Sequence, residues 1–133
     1  MNLDQYNVLQ EYENEKQIAI DFDGVIHKSS KGFYDGTAYD EPVEGALEAI
    51  KKFHDLGFTI VVFTGKAKSD RPKVNGKTGE ELVKEWLDKY NVSQYVKEIT
   101  SEKPRALIYI DDRGYRFTDW SSTLDFFTKE FNF

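Results

Sequence analysis

Four short stretches of this 133-residue chain carry side chains suited to chemistry: Asp21-Phe22-Asp23-Gly24, Thr64-Gly65-Lys66, Lys103-Pro104 and Asp111-Asp112-Arg113. Carboxylates gathered in one place repel each other and need a cation, a shared proton or a nearby lysine to coexist. Hard oxygen donors select Mg2+ or Ca2+, and a site with few carboxylates and room for water and phosphate oxygens suits Mg2+. An aspartate at such a neutralised site is a nucleophile toward phosphorus. A second carboxylate two residues on can give a proton to the leaving group and then take one from water. A hydroxyl and an ammonium hold the outer oxygens of the phosphoryl group in flight. Singly, each stretch is ordinary: Asp-Gly after a strand is more often a turn, and Lys103-Pro104 reads as a solvated loop. The combination, in this order, fits phosphoryl transfer.

The elements between these stretches must bring them together. Residues 16–22 (KQIAIDF) hold a short β-type run, and residues 58–64 (FTIVVFT) a continuous apolar run of the kind buried on both faces of a sheet. Residues 106–110 (ALIYI) read as another buried strand, and residues 95–99 as a short one. Val43, Ala46, Leu47, Ile50 and Phe53 fall at helical spacing over residues 42–53, with Pro42 in the first turn and Gly57 at the exit. Residues 78–90 read as a second helix with Thr78 and Glu81 as a capping box. Residues 122–131 read as a closing helix capped by Ser122 and Asp125. The alternation of strand and helix predicts an α/β fold, a three-layer, doubly wound, mostly parallel sheet with helices on both faces. Ligands of such sheets sit at the carboxyl ends of the strands, where Asp21, Asp23, Thr64, Asp111 and Asp112 fall.

Composition narrows the field. The length suits one domain, 1–133, and twenty aromatic residues exclude a disordered chain. There is no cysteine, hence no disulfide, thiolate-held zinc or thiol nucleophile. No apolar run is long enough to span a membrane, and the polar residues 1–15 do not resemble a secretory leader, so a cytoplasmic protein is expected. The net charge of −6 argues against a protein whose main task is coating nucleic acid.

In Asp21-x-Asp23-Gly24, Thr64 after a buried strand, Lys103 and Asp111-Asp112, the chain resembles the four ordered motifs of the haloacid dehalogenase superfamily over residues 16–120. The resemblance implies that Asp21 is the nucleophile, Asp23 the general acid and base, and Thr64 and Lys103 the holders of the phosphoryl group. It further implies Mg2+ held by Asp21, Asp23 (through its backbone carbonyl), Asp111 and Asp112, with Asp112 the more direct of the last two. Phosphatase branches of the family carry the Asp23 acid and the dehalogenase branch lacks it, so a phosphohydrolase is implied. Val25 stands where the family often has Thr. The gaps after the first motif and between Thr64 and Lys103 are too short for the cap domain of larger members. A capless member with a short flap, residues 26–40, is expected.

Without a cap, the substrate must be recognised by the flap and by the loop after Thr64. That loop, residues 66–77, holds five basic residues (Lys66, Lys68, Arg71, Lys73, Lys77) against the single acid Asp70. Gly65, Lys66, Lys68 and Arg71 are therefore candidate binders of a small phosphorylated substrate, such as a nucleotide or an oligonucleotide end, drawn to a positive rim on an acidic protein. His27 reads as a surface residue, His54 as a cation suited to a helix C-terminus, and Trp86 as core. Tyr6, Leu9 and Tyr12 share one helical face. Phe126, Phe127, Phe131 and Phe133 are expected to pack the last helix down, with a dimer contact as the alternative. A response-regulator receiver uses similar parts, but there the acidic pair comes first and the lysine last. A non-catalytic phospho-acceptor or binding module on the same fold remains the other reading.

Overall fold

The computed structural model describes residues 16–132. The extension 1–15, with Tyr6, Leu9 and Tyr12, and residue Phe133 lie outside the described residues. The elements run β1 (Gln17–Asp21), α1 (Ala46–Asp55), β2 (Thr59–Phe63), α2 (Gly79–Lys89), β3 (Val96–Thr100), β4 (Ile108–Ile110) and α3 (Trp120–Phe131). Single 3-10 turns precede α2 at Gly65–Ala67 and β3 at Ser93–Tyr95. The four strands form one parallel sheet in the order β3-β2-β1-β4, the α/β arrangement expected from alternating strands and helices.

The two inner strands are the most apolar. Ile18, Ala19 and Ile20 of β1 and Ile60, Val61 and Val62 of β2 are buried, as both faces of a covered parallel sheet demand. Val83, Trp86 and Leu87 of α2 and Ile50 of α1 complete the core with Phe22 and Ile26. Thr78 and Glu81 form the expected capping box at the start of α2. Gly57, at φ 95°, makes the left-handed exit after α1.

Four expectations change. The first helix begins at Ala46, not Pro42. Pro42 is instead bridged to His27, the Val43 N–H donates to the Ile26 carbonyl at 2.8 Å, and Gly45 turns left-handed at φ 84° before the helix starts. The last helix begins at Trp120 and is capped by Asp119, whose carboxylate accepts the Ser122 N–H at 2.8 Å, rather than by Ser122 and Asp125. Strand β4 is not buried: it lies at the sheet edge with Ile108 51% exposed. Nor are Phe126, Phe127 and Phe131 buried as an α3 packed down would require. No residue of α3 is buried, and Trp120 and Phe131 are 70% and 58% exposed. Apolar sequence signals a wish for burial, and among the described residues nothing on this side of the sheet meets it.

Candidate active site

Register brings the chemistry to one place. Asp21 pairs with Phe63 across β1 and β2, and Ile20 pairs with Ile110 across β1 and β4. The chain therefore leaves three adjacent parallel strands at one level, delivering Asp21, Thr64 and Asp111 side by side. A cleft of about 710 Å3 opens there, lined by Asp21, Asp23, Gly24, Thr64, Gly65, Asp111 and Asp112. Lys28, Ser29 and Phe33 from residues 26–40 border it, with Arg113 on the other side.

The carboxylates sense one another. Burial, and then the charge of Asp112, raise the Asp21 carboxyl from its ordinary 3.8 to about 6; Asp23 and Asp111 push the same way, against one backbone N–H from Phe22. A half-buried acid among three others is a site short of positive charge. Asp111 is held in a turn of its own, accepting the N–H groups of Arg113 (3.0 Å) and Gly114. Asp112 instead lies against Gly24, where a Cβ would collide with its Oδ2. Gly24 also sits at φ 85°, so both the turn and the close approach require glycine there.

Thr64 is 3% exposed at the end of β2. Its Oγ1 accepts the Lys66 N–H at 3.2 Å, which leaves the hydroxyl proton available to an acceptor in the cleft. Gly79, the first residue of α2, lies directly on the Lys66 backbone carbonyl, so the helix start braces this turn.

The cations are placed unevenly. Lys66 is not part of a solvated rim: it is 3% exposed, with Nζ 3.4 Å from Asp23 Oδ2 and no hydrogen-bond partner. Lys66 and Arg71 both lie over the Phe33 ring, at 5.0 and 4.8 Å from its centre. Lys68 is exposed and does not line the cleft. Lys103 is exposed as well, with its ammonium 4.2 Å from the centre of the Tyr109 ring rather than among the carboxylates.

His27 departs most from the sequence reading. It is fully buried, stacked parallel on Phe22 at 5.1 Å and edge-on to Trp86 and Tyr39. Its Nδ1 lies 2.9 Å from Asp23 Oδ1. The spacing of four between Asp23 and His27 was visible in the sequence. The fold-back was not: the Phe22 carbonyl accepts the N–H groups of Ile26 and His27, both at 2.9 Å, closing the chain over Asp23. In the sequence Lys28, Ser29 and Phe33 are marked only as members of residues 26–40, and Arg113 only as the neighbour of Asp111 and Asp112.

Among the described residues, no three acids or histidines converge tightly enough to hold a metal by side chains alone. Mg2+ does not ask for that: it keeps several waters and is held by one or two carboxylates with substrate oxygens. The hard oxygen donors and the unmet negative charge around Asp21 fit such an ion. No family model and no curated protein matches the chain.

Proposed function

We propose that the chain is a Mg2+-dependent phosphohydrolase of the haloacid dehalogenase type, capless, on a doubly wound sheet, acting on a phosphate monoester through an aspartyl-phosphate. The observation that carries this reading is the cleft at the strand ends, where Asp21, with its carboxyl raised to about 6, meets Asp23, Thr64, Asp111 and Asp112. Asp21, Asp112 and the Asp23 carbonyl are the groups to hold Mg2+, with Asp111 behind them. The bound ion supplies the positive charge that keeps Asp21 ionised and draws in the phosphate.

An Asp21 oxygen attacks phosphorus, forming the acyl-phosphate bond as the bond to the ester oxygen breaks. Asp23 delivers its proton to that departing oxygen. Water then attacks the same phosphorus, giving its proton back to Asp23, and Asp21 leaves as a free carboxylate. Thr64 Oγ1–H donates to a phosphoryl oxygen, one of its lone pairs being taken by the Lys66 N–H. Lys28 and Arg113 border the cleft where the rest of an anionic substrate would lie, a nucleotide or an oligonucleotide end among the candidates.

The test is release of phosphate by the purified protein, with Mg2+ or with EDTA. The panel contains aryl phosphates, nucleotides, sugar phosphates and 5′- or 3′-phosphorylated oligonucleotides. Turnover that needs Mg2+ and vanishes in Asp21→Asn is expected. Undiminished turnover in Asp21→Asn overturns the assignment.

A further inference from the structure

Asp23 has a neighbour on each oxygen, a hydrogen-bonded histidine on one and a nearby ammonium on the other. On one side Lys66 Nζ stands 3.4 Å from Oδ2; on the other His27 Nδ1 stands 2.9 Å from Oδ1. The second nitrogen of His27 decides the proton arrangement. Nε2 accepts the backbone N–H of Asp40 at 2.8 Å. An N–H donor occupies that lone pair, so the ring proton sits on Nδ1 and is donated to Asp23.

The Asp40 peptide is itself fixed from the other end. The Trp86 indole N–H of α2 donates to its carbonyl at 2.8 Å, and the Asp40 carboxylate accepts the Ser30 N–H and hydroxyl. Trp86, Asp40, His27 and Asp23 thus form one chain of hydrogen bonds from the core helix, through the base of the flap, to the acid of the cleft. Every donor in it has one acceptor. The stacking on Phe22 and the edges of Trp86 and Tyr39 leave the imidazole no room to turn.

We propose that His27, locked in its Nδ1–H form, is the positioning residue for Asp23. It holds Oδ1 as an acceptor, and Oδ2, which Lys66 Nζ approaches at 3.4 Å without a hydrogen bond, is the oxygen that carries the proton to and from the reacting centre. The role rests on the reading of Asp23 as general acid and base. A general acid contributes most when the leaving group is poor. Misdirecting it therefore penalises poor leaving groups selectively.

The experiment compares His27→Phe, His27→Asn and Trp86→Phe with the unmodified protein. kcat/KM is measured for phosphate esters of graded leaving-group basicity, with melting curves alongside. His27→Phe keeps the stack and removes both hydrogen bonds. kcat/KM is expected to fall about 10–100-fold for alkyl phosphates and less than about threefold for dinitrophenyl phosphate. His27→Asn, which returns an N–H near the Nδ1 position, recovers part of the loss. Trp86→Phe shows the same selectivity in weaker form, and it decides the point should His27→Phe fail to fold. An equal loss for every leaving group, or no rescue by Asn, overturns the proposal.

Nitrogen NMR of the imidazole gives a reading that needs no turnover. The proton is expected on Nδ1, and its resonance should move in Asp23→Asn. A proton on Nε2, or a resonance indifferent to Asp23, refutes the positioning role. Absence of Mg2+-dependent phosphatase activity in the unmodified protein would refute the enzymatic reading instead.

Discussion

At Asp21 one side chain carries two opposed demands. As the proposed nucleophile it must be ionised, yet burial and three neighbouring carboxylates favour its neutral form. Asp21→Asn removes the nucleophile and the repulsion together. Loss of turnover is expected, with a gain in stability of the metal-free protein on the order of 1–2 kcal/mol at neutral pH, allowing for solvent at a half-buried site. The stabilisation given by Mg2+ should shrink in the same variant. Melting curves with EDTA and with Mg2+, beside phosphate release, check all three. Gly24 belongs to the same scale: Gly24→Ala strains a left-handed turn and drives into Asp112. It is expected to raise the Mg2+ concentration needed for half-maximal activity.

Among the elements, α2 matters for where it starts. Its capping box at Thr78 and Glu81 serves the helix alone, whereas Gly79 bears on the Lys66 carbonyl and so on the turn that presents Thr64. The two neighbours should therefore separate in experiment. Thr78→Ala costs about 1 kcal/mol of stability and leaves kcat near its original value. Gly79→Ala forces the helix away from the turn and lowers kcat as well as the melting temperature. Equal kcat in the two variants would show that the helix start does not brace the site. Residues 26–40 are held at Asp40, tied to His27 and Trp86, and midway at Phe33, which packs on Lys66 and Arg71.

On the scale of the whole molecule, charge sets the response to pH and salt. Asp21 is neutral in both folded and unfolded chains below its ordinary 3.8. Between there and about 6 the unfolded chain gives up a proton that the folded one keeps. Stability of the metal-free protein should therefore fall as pH rises through this window, and the cost is complete above it. Asp40 acts in the opposite sense and in a lower window. Hydrogen bonds from Ser30 and then Glu41 hold its carboxyl down at about 2, so its contribution is present above 3.8 and lost as pH falls through about 2. Mg2+ should flatten the slope between pH 4 and 6, which thermal melts across pH would reveal. The basic loop after β2 is smaller as a rim than the sequence suggested, since Lys66 is buried; Lys68, Arg71 and Lys73 remain exposed. Neutralising these three together is expected to raise KM for a polyanionic substrate and flatten its salt dependence, with kcat little changed. An unchanged KM and salt slope would assign the loop no part in substrate capture.

The sequence by itself determined what local chemistry determines. Apolar runs placed β1 and β2, helical spacing and a capping box placed α2, and the residue types after each strand marked the acids that line the cleft. It did not determine what depends on neighbours distant along the chain. A continuous apolar run made β4 look buried and a row of aromatics made α3 look packed, but burial requires a covering element, and neither element has a buried residue. A lone histidine carries no sign of its partners, and only the fold-back over Phe22 and the Asp40 peptide turned His27 into a buried donor to Asp23. The two lysines show the same limit. The sequence reading sets Lys103 on the phosphoryl group and Lys66 on a solvated rim, whereas the tertiary structure sets Lys66 against Asp23 and leaves Lys103 exposed on Tyr109, placements that depend on contacts distant along the chain.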